Sequence, residues 1–255
     1  MERTKKSASY LTRTANEIRN YRTMKRVIPV ILCVLAVLLV LLYVIALMYT
    51  RFGSFTVSVN KYHQLQHGLS LCESVSFNKP TSRLECMASE EITNIDGTTL
   101  DKLDLGAVDG IDSGENYLCY TFYCKNTGRE TVDFDYSIDI ANMTLGVEKA
   151  VRIRLQTNRN GENFTRTDYA RAAGVDEQGN AIPEPGTVPF FSKYVIMQDS
   201  VSSFEPDEMM KFTVIIWLEG PDPDCVDDII GGEFKIDMKF NVTSTTNHDD
   251  TQATG

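Results

Sequence analysis

Strict alternation of apolar and polar residues dominates the chain beyond residue 52. Phe55, Val57 and Val59 alternate with Ser54, Thr56 and Ser58, and Phe134, Tyr136, Ile138 and Ile140 with Asp133, Asp135, Ser137 and Asp139. Val151, Ile153 and Leu155 alternate with Arg152, Arg154 and Gln156, and Phe234, Ile236, Met238 and Phe240 with Lys235, Asp237 and Lys239. A period of two sends successive side chains to opposite faces of a strand, so each run offers one face to a core and one to water. Residues 117–124 and 212–218 are apolar on both parities and predict central strands. Turn formers separate the runs, as at Asn78-Lys79-Pro80, Lys125-Asn126-Thr127-Gly128 and residues 158–161. With no long amphipathic helix in this region, two packed antiparallel sheets are the natural way to bury these faces. The expected fold is all-β, an antiparallel β-sandwich of jelly-roll or immunoglobulin-like type over residues 50–243. Residues 244–255 are polar, lack an apolar period and are expected to be disordered.

Residues 27–49 form an uncharged, mostly apolar run of 23 residues. At 1.5 Å per residue, a helix of that length crosses a hydrocarbon core of roughly 30 Å with some tilt. Pro29 would sit in its first turn, where a missing N–H costs little. Residues 1–26 carry eight basic and two acidic side chains, a net +6, whereas only Arg51 follows closely on the other side. The positive-inside rule therefore places 1–26 in the cytosol as a basic tail and the domain after residue 50 outside. Tyr10, Ile18 and Tyr21 offer the tail a thin apolar stripe for a juxtamembrane helix. A cleaved signal peptide is the alternative, but the run exceeds an h-region of about 7–15 residues, and Met48 closes a poor small-x-small site. The lipid bilayer is thus the first expected partner, through 27–49.

The chain has 25 Lys and Arg against 35 Asp and Glu, so the part after residue 26 carries about −16. That charge argues against nucleic acid as a ligand. His63-Gln64-Leu65-Gln66-His67 has the histidine spacing of a zinc-protease helix, but Gln64 stands where the general base Glu is needed. The segment is expected to be a loop or strand end. Glu219, Asp222, Asp224, Asp227 and Asp228 could hold a hard cation such as Ca²⁺, as could Asp104, Asp109, Asp112 and Glu115, yet neither run has EF-hand spacing. Capping explains the first cluster without metal. Asp222 suits an N-cap, Pro223 the first helical position and Gly231 the left-handed residue after a short helix. No Ser-His-Asp or Cys-His constellation emerges, so neither an enzyme, a resident cofactor nor a small-molecule substrate is expected. Asn142, Asn163 and Asn241 head glycosylation sequons, which matter only in a eukaryotic secretory pathway.

Five cysteines follow the apolar run: Cys72, Cys86, Cys119, Cys124 and Cys225. Cys119 and Cys124 are five apart and face opposite sides of a straight strand. Cys72 and Cys86 are symmetric about Lys79, so a hairpin would place them opposite each other as a disulfide candidate. The alternative is five small buried hydrophobes. Cys225 would meet the N-terminal dipole of the short helix, which lowers a thiol pKa.

The closing segment carries Trp217-Leu218-Glu219-Gly220, Asp222-Pro223-Asp224-Cys225 and Gly231-Gly232. It resembles the end of exported proteins of the TasA/camelysin group of Gram-positive bacteria, and residues 53–59 and 117–126 fit the same layout more loosely. The resemblance implies a bacterial cell-surface β-sandwich with a surface or matrix protein as partner, and Trp217, Glu219, Gly220, Asp222, Pro223, Cys225 and Gly231 as structural motif residues. Relatives in the fibre-forming branch are released by a dedicated signal peptidase, from which the uninterrupted anchor departs. Camelysin is classed as a metalloprotease, an activity that the missing HExxH does not support. The resulting expectation is a non-catalytic ectodomain on a single-pass anchor, with a ligand-sensing ectodomain acting through a membrane partner and, last, a camelysin-like peptidase as the alternatives.

Overall fold

The computed structural model describes residues 27–43, 54–87 and 92–247, in a chain that divides into the units Met1–Thr50 and Arg51–Gly255. In the first unit, residues 27–43 are helical (α1), with every large apolar side chain exposed. Among the described residues no helix is long and apolar enough to cross a membrane. Residues 44–49 of the expected span, and the basic tail with Tyr10, Ile18 and Tyr21, lie outside the described residues.

The second unit is built of strands. In order they are β1 (Ser54–Val59), β2 (Leu69–Cys72), β3 (Arg83–Met87), β4 (Asn94–Ile95), β5 (Gly110–Ile111), β6 (Tyr117–Asn126), β7 (Glu130–Met143) and β8 (Val151–Arg159). There follow β9 (Glu162–Ala170), β10 (Gly174–Val175), β11 (Ala181–Ile182), β12 (Val188–Pro189), β13 (Val195–Phe204), β14 (Met209–Glu219) and β15 (Phe234–Asn247). Two short helices, α2 (Lys61–His67) and α3 (Gly97–Leu100), interrupt them. One large sheet runs β13-β7-β15-β1-β3, the other runs β12-β9-β8-β14-β6-β2, with β4 beside β14 and β5 beside β6, and β10 and β11 form a separate two-stranded ribbon. Four of the pairings are nested, β8 with β9, β7 with β13, β6 with β14 and β1 with β15, and β7 with β15 and β8 with β14 join them into the two sheets.

The alternation becomes burial as read. β1 buries Phe55, Val57 and Val59, and β15 buries Phe234, Ile236, Met238 and Phe240. The apolar faces of the two large sheets share one core. At its centre Phe122 stacks on Phe212 with ring centroids 5.3 Å apart, and Phe240 meets Phe212 edge-on at 5.3 Å. Each fully buried Phe contributes roughly 1.5–3 kcal/mol of transfer free energy, so these rings dominate the sandwich.

β6 and β14 are central neighbours, and both their faces are buried. The second burial has a local cause. Leu100 of α3 packs with Cys119, Ile215 and Trp217 on the outer face, with Leu105 and Ile95 at the margin, in a small second core.

Asn126 knots the β6–β7 turn where the chain changes sheet. Its buried amide donates to the carbonyls of Glu130 (2.8 Å) and Phe204 (3.0 Å), and its Oδ1 accepts from Gly128 N–H (2.9 Å). Gly68, at φ 76°, ends α2 against this turn, where a Cβ would lie 2.2 Å from Gly128 N. Only glycine fits there.

Several expectations are corrected. The sheets are not wholly antiparallel, since β1 runs parallel to β15, as do β12 to β9 and β4 to β14. Nearly the whole domain separates β1 from β15, so the crossover a parallel pair needs is available. The His63–His67 segment is neither loop nor strand end but helix α2, because Asn60 accepts from Tyr62 N–H and Gly68 supplies the left-handed cap. Residues 222–230 form no α-helix: Asp222 Oδ1 makes the expected capping bond, accepting from Asp224 N–H at 2.8 Å while Oδ2 binds Arg152, yet only a 3₁₀ turn follows, over Asp227–Ile229. The sandwich does not end at residue 243: Ser244, Thr245, Thr246 and Asn247 pair with β7, and only 248–255 of the polar tail lie outside the described residues. The Cys72–Cys86 hairpin fails because β2 and β3 join different sheets, with Cys72 opposite Tyr123 and Cys86 opposite Phe55. All six cysteines are free.

Candidate functional site

The register across β9, β8, β14 and β6 arranges outward side chains in rows. One row runs Asp168, Arg154, Ile215 and Cys119, and the next Arg166, Gln156, Thr213 and Thr121. Trp217 lies opposite Arg152 on one side and Tyr117 on the other. The loop through α3 and the segments 184–187 and 219–223 wall this end of the sheet into a cleft of about 650 Å³.

Ion pairs fill that cleft. Arg154 binds Asp168 through two parallel bonds, Nε to Oδ1 at 2.7 Å and Nη2 to Oδ2 at 2.8 Å, and reaches Asp101 at 2.8 Å. Arg166 bonds the same Asp101 oxygen. Arg152 bonds Asp222 and lies 3.5 Å from Glu184. The Arg154 guanidinium stands 5.2 Å from the Trp217 ring centroid, and the indole N–H donates to Glu219 Oε2 at 2.7 Å. The other Glu219 oxygen accepts from Gly97 N–H at 3.2 Å, fastening the start of α3 to the sheet.

Burial works against the Arg154 charge, but the bond and charge of Asp168, with Asp101, outweigh it and raise its pKa. Burial likewise lifts Asp101, yet the bond from Arg166 and the charges of Arg154 and Arg166 hold its carboxyl below the usual range. Both groups are thereby fixed in their charged forms. The cleft holds guanidinium and carboxylate groups that neutralise one another and tie this end of the sheet together.

The motif residues named from the sequence divide. Trp217, Glu219, Asp222 and Pro223 meet in this cleft. Gly220 N–H donates to Ile95 carbonyl at 3.0 Å, holding β4 in place. Cys225 and Gly231 line a separate apolar cavity of about 300 Å³ with Leu218 and Ile229. Cys225 is no helix-start thiol: burial pushes its pKa up, and a bond with Asn94 opposes this only in part. Asp224, Asp227 and Asp228 are exposed along the turn, while Glu219 and Asp222 are bound elsewhere. In the other acidic run, Asp109 accepts from Tyr123 O–H (2.6 Å) and Val75 N–H (2.9 Å). Among the described residues, no group of three His, Cys, Asp or Glu could hold a metal ion. His63 Nδ1 accepts from Val242 N–H at 3.1 Å, and the His67 ring packs edge-on to it at 5.9 Å, so this pair fastens α2 to β15.

Arg152, Arg154, Arg166, Asp168, Asp101 and Glu184 escaped the sequence reading. The two β8 arginines stand at polar positions of an alternating strand, which reads as a wet face. The available signal was their pairing with a neighbouring strand whose outward residues, Ile215 and Trp217, are apolar. No family model matches the chain, and no curated protein and no solved structure matches it.

Proposed function

We propose that the chain is a membrane-anchored bacterial cell-surface protein whose jelly-roll ectodomain binds a surface or matrix component without catalysing a reaction. The nested pairing of β8·β9, β7·β13, β6·β14 and β1·β15 supports the jelly-roll reading, with β2 and β3 as added edge strands and β1 reversed. One observation carries the anchor: every large apolar side chain of residues 27–43 is exposed. An all-round apolar helix needs an apolar surrounding. The charge-free run continues to residue 49 and a +6 segment precedes it, so lipid supplies that surrounding with the tail in the cytosol. The non-catalytic reading rests on the cleft, where Arg152, Arg154 and Arg166 are spent on Asp222, Asp168 and Asp101.

Protease shaving of intact cells tests this reading. It should remove the domain after residue 51 and leave an epitope in residues 1–26 protected. A mature form in the medium beginning near Thr50, or a domain that protease reaches only after lysis, would sink it.

A further inference from the structure

At the other end of the same sheet face lies a second, chemically different cavity. It measures about 250 Å³ and is lined by Asp104, Gly106, Gln156, Asn158, Phe164 and Lys211, among others. We infer that this cavity binds a single ring of a neutral saccharide.

Size sets the first limit. Pockets for drug-sized ligands run to roughly 300–1,000 Å³, and each liquid water occupies about 30 Å³, so this space takes one hydrated ring and no more. The lining sets the second. Phe164 is 62% exposed, which leaves an apolar surface of the size that packs against the C–H face of a sugar. Asn158 and Gln156 present planar amides, and Asp104 a carboxylate, all of which bond hydroxyl groups readily.

Asn158 supplies the decisive observation. Its Oδ1 is buried and has no hydrogen-bond partner. An unpaired buried acceptor is costly, and with no bond to hold it the side chain is free to change rotamer and carry its amide into the cavity. A ligand hydroxyl relieves that cost, and it does so whichever end of the amide it meets, because a hydroxyl both donates and accepts. The contrast with Asn126, satisfied at both ends of its amide, marks Asn158 as unusual in this chain.

Charge argues for a neutral ligand. Lys211 Nζ, the cation in the cavity, already donates to Gly106 carbonyl, and Asp104 opposes an anion. The wall is also held in shape. Gly106 adopts φ 91°, and a Cβ there would lie 2.8 Å from Thr213 Oγ1, so the loop descends onto the sheet only with glycine.

This inference names the ligand class for the surface-binding reading above and rests on it for its biological setting, but its test is independent of location. Saturation-transfer NMR on the full chain in detergent would use cellotriose, chitotriose and maltotriose as probes. Transfer to the ring C–H protons of at least one is expected, weakened about tenfold or more in Phe164→Ala and in Asn158→Leu. Asn158→Leu should leave the thermal midpoint unchanged or higher, since it removes an unpaired acceptor. No transfer to any of the three sugars, transfer unaffected by both variants, or a clear fall in midpoint for Asn158→Leu would each overturn the site. Failed cell shaving alongside sugar binding would refute the location and leave the site standing.

Discussion

Arg154 lies with its guanidinium 5.2 Å from the ring centroid of Trp217, one strand away, while its edge is clamped by Asp168. The indole then passes the constraint on through its N–H to Glu219, and Glu219 holds α3. Three stretches remote in sequence, the β8–β9 hairpin, β14 and α3, are fixed by one chain of contacts. Both members are buried, with Trp217 2% and Arg154 3% exposed. A cation against an aromatic face is worth about 2 kcal/mol when desolvated.

Trp217→Ala removes this ring from the second core. Truncating a buried aromatic costs about 3–5 kcal/mol, and a domain of this size loses about 2–4 °C per kcal/mol. The thermal midpoint of the full chain in detergent should fall by about 10 °C. Trp217→Phe keeps most of the ring and loses the bond to Glu219, so it should fall by only a few degrees. An unchanged midpoint for Trp217→Ala would remove the outer-face core from the account.

The large apolar features were legible in the chain because burial on a sheet leaves a period. Phe55 to Val59 and Phe234 to Phe240 could face inward in only one way. Residues 117–124 and 212–218 broke the period and so announced a sheet covered on both sides. What covers the outer face was not legible. Leu100 ends the one-turn helix α3 and Leu105 lies in the loop after it, a stretch with no period of its own, and contacts across such distances leave no local trace. Arg152 and Arg154 look solvated for the same reason: alternation tells which face a side chain takes, not whether another segment closes over it. Asp222 shows the opposite error. Its local sequence is a good helix start and the capping bond from Asp224 N–H is made, with Arg152 on the other oxygen, yet no α-helix follows it. Cys72 and Cys86 were symmetric about a real turn, but the chain changes sheet after it, which symmetry cannot reveal.

Asn126 should be among the most sensitive polar residues. Asn126→Leu leaves the carbonyls of Glu130 and Phe204 and the Gly128 N–H without partners in a closed site. At about 1–3 kcal/mol for each stranded group, the loss is of the order of several kcal/mol. Chemical denaturation should show a marked drop in midpoint with little change in slope. The same substitution at Asn158 should not, and a common response of both variants would refute the distinction between them.

Acid should destabilise the domain through particular carboxylates. Burial lifts Glu208, but the bond and charge of Arg159 carry it below its ordinary value, and Asp101 and Asp109 are depressed despite burial by Arg166 and Tyr123 respectively. A carboxyl depressed in the folded state stabilises fully above its unfolded pKa of about 4, and that contribution is lost as pH falls through the folded value. Unfolding free energy measured in urea should therefore be level near neutrality and decline below about pH 4–5. Glu208→Gln should lower stability at pH 7 and flatten the acid limb. A variant with an unchanged acid limb would show that the Arg159–Glu208 pair contributes nothing.

The thiols give the sharpest check on sheet assignment. Cys124 and Cys86 lie in the main core, Cys119 in the outer one, and Cys72 is buried beside Tyr123. Burial, with Glu73 nearby, pushes Cys86 up to about 12; burial, with Asp112, pushes Cys119 to about 12. Burial closes all four to maleimide, and in Cys86, Cys119 and Cys124 it also holds back the reactive thiolate, so at pH 8 they should react only once urea opens the sandwich. Cys225, only half-buried, should react first among the domain's thiols. The raised values also fix the alkaline limb. Unfolded, Cys86, Cys119 and Cys124 ionise near about 8.5, whereas burial opposes it in the fold, so unfolded chain releases protons first and stability declines as pH rises above about 9. Cys86→Ser would change packing as well as ionisation, so the shape of that limb, not its height, is the measurement. Non-reducing peptide mapping completes the test. Cys86 lies in the main core opposite Phe55 and Cys72 outside it opposite Tyr123, so a peptide joining Cys72 to Cys86 would overturn the register of β2 or of β3.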